Sequence, residues 1–223
     1  MSRLVLIPGL GADGQLFTAV RHLAPIIPPW LPVDGGDLAS YARRYVDAGW
    51  ARPGDALGGS SFGGMLAQEI ARLIPLCCLL LITTCRSRQG ISPGLRFLSP
   101  LSRVLPVVHE PAPFIARVLD LKLGGMNLAH RRVIESWVRS GDPRYLRWAA
   151  RTAGAWRGVA LPPDLPVFQI HGSHDRLMPA SRSGADTIIP GARHLLPITH
   201  PDVFRAWLER SLAAVETGLR LKT

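Results

Sequence analysis

The 223-residue sequence predicts a single α/β domain, residues 1–223, with a mostly parallel sheet and a helical cap inserted at residues 86–160. Three observations predict it. Short apolar runs alternate with amphipathic stretches, which is the rhythm of βαβ units. A glycine-rich turn at Gly58-Gly59-Ser60-Ser61-Phe62-Gly63-Gly64-Met65 joins one apolar run to a helical pattern. Residues 86–160 then break the rhythm with helical pieces and no strand.

The elements follow in order. Leu4–Pro8 reads as a buried strand ending at Gly9-Leu10-Gly11, Gln15–Leu23 as a helix, and Ile26–Val33 as an extended segment interrupted by prolines. Leu38–Trp50 is amphipathic, with Leu38, Tyr41, Ala42 and Tyr45 on one face and Arg43, Arg44 and Asp47 opposite. Asp55–Ser60 is the expected central strand, and Phe62–Ile74 the helix after it, stopped by Pro75. Leu76–Thr84, Val167–His171 and Ile188–Ile189 read as further strands, and Asp202–Leu212 as a closing helix. The cap reads as helices over Leu95–Leu105, Phe114–Leu123, Leu128–Ser140 and Pro143–Trp156. An insertion between two strands belongs over the carboxyl ends of the sheet, where open α/β sheets keep their sites. Trp137, Tyr145, Trp148 and Trp156 are expected to pack this layer, with a substrate-lining role as the alternative.

The glycine-rich turn carries the first chemical signal. Only Ser61 has glycine two residues away on both sides, Gly59 and Gly63; for Ser60 the second position is Phe62. A serine on a sharp strand-to-helix turn needs those glycines, because a Cβ at either flank would clash with the strained backbone. Its hydroxyl is a poor nucleophile without an imidazole base, and the imidazole needs a carboxylate to fix its tautomer. Both follow in the chain. Asp175 comes just past the strand Val167–His171, and His194 comes after the short strand, in Gly191-Ala192-Arg193-His194.

With these motifs the sequence resembles the α/β-hydrolases, in particular small members that lack the first two strands. The likeness covers about residues 4–84 and 166–212, and the cap matches in position and helical character alone. The resemblance implies a three-layer α/β/α sandwich and the chain order Ser61, Asp175, His194 for nucleophile, acid and base. Ile7-Pro8-Gly9-Leu10-Gly11-Ala12-Asp13 corresponds to the family's oxyanion loop, with Pro8 where histidine is usual. By position, the N–H groups of Leu10 and Phe62 would form the oxyanion hole. His171-Gly172-x-x-Asp175 matches the acid loop and Gly191-x-x-His194 the histidine loop. The implied activity is a carboxylesterase acting on small to medium acyl esters. An acyl thioesterase or carrier-protein esterase, and a non-catalytic binder on the same scaffold, are the alternatives. No metal or organic cofactor is implied.

Other histidines compete for these roles. His200 lies where the last helix starts and is a second candidate base; His171 and His174 flank Asp175 in a His-x-x-His-Asp pattern that lacks a third ligand cluster for a metal. His171 is therefore expected as a packed residue at the strand end, and His22, His109 and His130 have no constellation around them.

Composition bounds the partners. No apolar run reaches the ~20 residues of a membrane span, and the start is too short before Pro8 to be a secretory signal. Cys77, Cys78 and Cys85 are odd in number and share one apolar stretch, so they read as reduced cysteines of a cytoplasmic protein. Net charge is +10, and 24 of the 26 basic residues are Arg. Residues 86–157 hold twelve Arg and Lys122 against Glu110, Asp120, Glu135 and Asp142, a net of +9, leaving +1 for the rest. These arginines either solvate helix faces or attract an anionic substrate or acidic acyl carrier to the cap. A nucleic-acid partner is not expected, since no recognition motif or aromatic–basic interleaving is present.

Overall fold

The computed structural model describes residues 2–93 and 127–218. Five parallel strands form one sheet: β1 (Leu4–Ile7), β2 (Ala56–Ser60), β3 (Cys78–Ile82), β4 (Val167–Gly172) and β5 (Thr187–Ile189), in that spatial order. The pairing sets Ile7 against Gly59, Ser60 against Ile82 and Gly172 against Ile189, so the carboxyl ends of the strands line one edge.

Alternating strand residues feed two cores, one on each face of the sheet. Val5, Ile7, Leu57, Leu79 and Leu81 pack on α1 (Leu38–Asp47) and α2 (Phe62–Ala71). Leu6, Ala56, Leu80, Ile82 and Ile170 pack on the other side, against a 3-10 helix (Gly14–Leu23) and the last helix. The fold is thus a three-layer α/β/α sandwich. Between β3 and β4 the described residues form α3 (Leu128–Ser140) and α4 (Pro143–Ala155), and the chain continues after β5 through a single turn, α5 (Leu196–Thr199), into α6 (Pro201–Glu216). The expected helices Leu95–Leu105 and Phe114–Leu123 lie outside the described residues.

Several boundaries differ from expectation, each for a local reason. In the segment Ile26–Val33 only Ile26 pairs with the sheet, through a parallel bridge to Val5. Pro28, Pro29 and Pro32 have no N–H for a ladder, so the segment is held instead by the phenols of α1, which donate from Tyr41 to Leu31 O and from Tyr45 to Pro29 O. Gly14–Leu23 is 3-10 rather than α-helical, with Phe17 and Val20 outside helical backbone angles. Helix α2 stops at Ala71, because the residues before Pro75 turn back onto Ile70 O.

Trp137, Trp148 and Trp156 are buried and fasten the α3–α4 segment to the rest of the fold. Trp137 Nε1 donates to Asp13 Oδ1 at 2.9 Å, Trp148 Nε1 to Gly36 O at 2.6 Å, and Trp156 Nε1 to Glu69 Oε1 at 2.8 Å. Buried indole N–H groups require such acceptors. Trp148 also meets the Phe62 ring edge-on, with centroids 5.9 Å apart.

Candidate active site

Ser61 stands between β2 and α2 with φ 53° and ψ −118°, a backbone conformation that L-residues rarely adopt. The surrounding glycines make it possible. A Cβ on Gly59 would collide with Gly63 O, and one on Gly63 with the carbonyl oxygens of Ile7 and Pro8. The elbow is therefore wedged between its own helix and the loop after β1. Gly63→Ala is expected to lower unfolding stability by about 3 kcal/mol or more, read by urea denaturation.

Three chain-distant side chains meet at the carboxyl edge. His194 Nε2 lies 2.9 Å from Ser61 Oγ, and His194 Nδ1 lies 2.7 Å from Asp175 Oδ2. His194 and Asp175 are each 5% exposed, whereas Ser61 is only half-buried. Because Asp175 Oδ2 accepts from Nδ1, Nε2 is left to accept from the serine hydroxyl. Ser60, by contrast, is buried within β2 with its hydroxyl 3.4 Å from Thr83 Oγ1.

The Asp175 carboxylate is fully satisfied. Oδ1 accepts from the N–H groups of Leu177 at 2.8 Å and Met178 at 3.0 Å, and Oδ2 takes His171 Nε2 at 3.1 Å besides His194. Burial alone would raise this carboxyl, but the charge of His194 and the hydrogen bonds from His171 and His194 outweigh it and hold it well below the usual carboxylate range. The two loops carrying acid and histidine are sewn together. His174 N donates to Ala192 O, Gly191 N donates to Ser173 Oγ, and a Cβ on Gly172 would strike Ala192 O.

His171 is wholly buried at the end of β4, as expected of a packed residue, but it does more than pack: its Nε2 also lies 2.6 Å from Met178 O. That second contact with the acid loop was not legible from spacing. His174 is exposed, and His200 bonds Thr199 Oγ1 at 2.9 Å. His22 pairs with Glu209 and His130 closes a capping box at the start of α3. Among the described residues, no group of three or more His, Cys, Asp or Glu side chains is arranged to hold a metal ion.

The loop after β1 lies beside the elbow, since a Cβ on Gly9 would be in contact with Ser61 Cβ at 3.6 Å. Gly11 has φ +72°, and Leu146 of α4 closes over it. Among the described residues, the N–H groups of Leu10 and Phe62 take no hydrogen-bond acceptor. Phe62 N–H is the first of its helix, where a free donor and the positive end of the helix dipole coincide.

Sheet order, elbow and the two sewn loops define the class: the chain has the α/β-hydrolase fold. Comparison with known proteins agrees with this. A pimeloyl-[acyl-carrier protein] methyl ester esterase of Aromatoleum aromaticum is 29% identical, over 89% of this chain and 93% of its own. Among solved structures, a thermophilic esterase from Thermogutta terrifontis superposes with TM-score 0.72 at 19% identity, covering 96% of this chain and 90% of that one. The type II thioesterase BorB from the borrelidin biosynthetic cluster gives TM-score 0.63 at 20% identity, over 95% and 92% of the two chains. No family model matches the chain.

Proposed function

We propose that the protein is a serine hydrolase of acyl esters, with Ser61 as nucleophile, His194 as base and Asp175 as acid. The observation that carries this reading is the unbroken line of hydrogen bonds from Ser61 Oγ through the His194 ring to Asp175, 2.9 and 2.7 Å long. As Ser61 Oγ attacks the acyl carbon, His194 Nε2 takes its proton, and Asp175 stabilises the imidazolium that results. The carbonyl oxygen becomes an oxyanion and accepts from Leu10 and Phe62 N–H, each donor contributing about 3 kcal/mol in comparable sites. His194 then protonates the leaving alcohol, and a water deprotonated by His194 releases the acid. Residues 86–160 are read as the cap over this site, since Trp137 and Leu146 reach the loop after β1. The test is a panel of p-nitrophenyl esters and acyl thioesters of rising chain length on wild type and Ser61→Ala. Activity in the alanine variant equal to wild type would refute the reading.

A second substrate class has its own support. Arg132, Arg139, Arg144, Arg147 and Arg157 are exposed within the +9 segment, and the Aromatoleum relative bears the name of an esterase for a carrier-protein ester. Arg86 is an exception, half-buried with Nε donating to Gln169 Oε1 at 2.8 Å. An acidic acyl carrier or other anionic thioester would be drawn to this surface by a field that salt screens over about 10 Å at 0.1 M. On this reading kcat/KM for an anionic acyl thioester falls as salt rises, while a neutral short-chain ester stays nearly flat. Parallel responses would leave the arginines as solvated helix faces.

A further inference from the structure

Ser61 O receives three hydrogen bonds. Gly64 N–H and Met65 N–H donate to it at 3.0 and 3.2 Å, as the first turn of α2 requires, and the Thr84 hydroxyl donates at 2.7 Å. The carbonyl has two lone pairs, already matched by the helix, so the third and shortest bond is not needed to satisfy it. Thr84 is 0% exposed and pressed against the elbow: a Cβ on Gly64 would lie 2.6 Å from Thr84 Cγ2.

The bond acts on a particular peptide group. Ser61 C=O and Phe62 N–H belong to one planar unit and point in opposite directions, so fixing one aims the other. We propose that Thr84 is a positioning residue, whose hydroxyl holds the Ser61–Phe62 peptide so that Phe62 N–H faces the oxyanion. This rests on the reading of Phe62 as an oxyanion donor. The same hydrogen bond polarises the peptide and makes its N–H a stronger donor.

Thr84 is itself held from behind. Its carbonyl oxygen accepts from Gln169 Nε2 at 2.9 Å, and Gln169 is fixed by Ser183 O, Arg86 Nε and Asp186 Oδ2. The residue before it, Thr83, has φ +42°, a costly conformation for a β-branched side chain. Thr83 N–H donates to Ile170 O at 2.9 Å, which anchors this left-handed residue to β4. The chain thus sustains backbone strain and a buried polar network beside the peptide that Thr84 holds.

Thr84→Val keeps volume and branching and removes the hydroxyl, whereas Thr84→Ser keeps the hydroxyl. Valine is expected to lower kcat for a p-nitrophenyl ester about tenfold with KM within about twofold, because a misaimed donor loses part of the 10²–10³-fold worth of an oxyanion contact. Affinity for a boronic acid, which forms a tetrahedral adduct on the serine, should fall by a similar factor. Serine should restore kcat to within about threefold of wild type. Thr84→Cys, with a weak donor of similar size, serves if the valine variant does not fold, and should show the same kcat loss. Wild-type kcat in the valine or cysteine variant overturns the proposal, as does an equal loss in the serine variant, which would make packing the cause. If Ser61→Ala is inactive while Thr84→Val matches wild type, this proposal alone fails; an active Ser61→Ala removes the reading beneath it.

Discussion

Ser61→Ala is expected to lower kcat by on the order of 10⁵-fold with the fold intact, leaving the residual rate that binding and oxyanion donors supply. The same residue should be the one a fluorophosphonate labels. Ser60 is the adjacent residue, yet it is buried with its hydroxyl beside Thr83 Oγ1, while Ser61 is half-buried with its Oγ beside His194 Nε2. Peptide mapping of the adduct separates the two. An adduct on Ser60, or none in folded protein, contradicts the proposed nucleophile.

The second large effect concerns acid and base. His194→Ala and Asp175→Asn should each cut kcat by about 10³-fold or more, and His200→Ala, whose ring bonds Thr199, should cost far less. The Asp175 variant carries a stability signature too. The folded carboxyl is held below its ordinary range, so its stabilising contribution is complete above the unfolded value of about 3.9 and is lost as pH falls toward the lowered one. Urea unfolding between about pH 4 and pH 2 should therefore weaken wild type more steeply than Asp175→Asn. Equal slopes would mean that the carboxylate is not stabilised in the fold.

What could be read in advance was what backbone sterics force. Glycine at 59 and 63 is dictated by carbonyl oxygens that a Cβ would strike, so the spacing around Ser61 carries structural information in five residues. Asp175 and His194 were legible as polar residues just past apolar strands, and they lie in hydrogen-bonding contact with each other. β1 and β3 were legible as strands because buried parallel strands are continuously apolar. Contacts made across long sequence separation were not. Thr84 reads as the end of a strand, and nothing in its neighbours signals a hydroxyl aimed at Ser61 O. The tryptophans of α3 and α4 read as mutual packing, whereas their N–H groups reach acceptors 87 to 124 residues away. The turn Leu196–Thr199 was missed because four residues are too few for a periodicity.

Those tryptophans bear on how the scaffold can diversify. Trp137 and Trp148 hook onto Asp13 and Gly36 O, in loops that belong to the sheet domain. A foreign insertion spliced in place of residues 86–160 would leave Gly36 O without its indole donor and Asp13 with only its local bonds to Gln15, and would bring indoles or other donors with no matching oxygen. The heritable module is accordingly larger than the insertion: it comprises the inserted helices together with the loops around positions 13 and 36. Chimeras that exchange all three pieces should retain activity more often than those exchanging the helices alone.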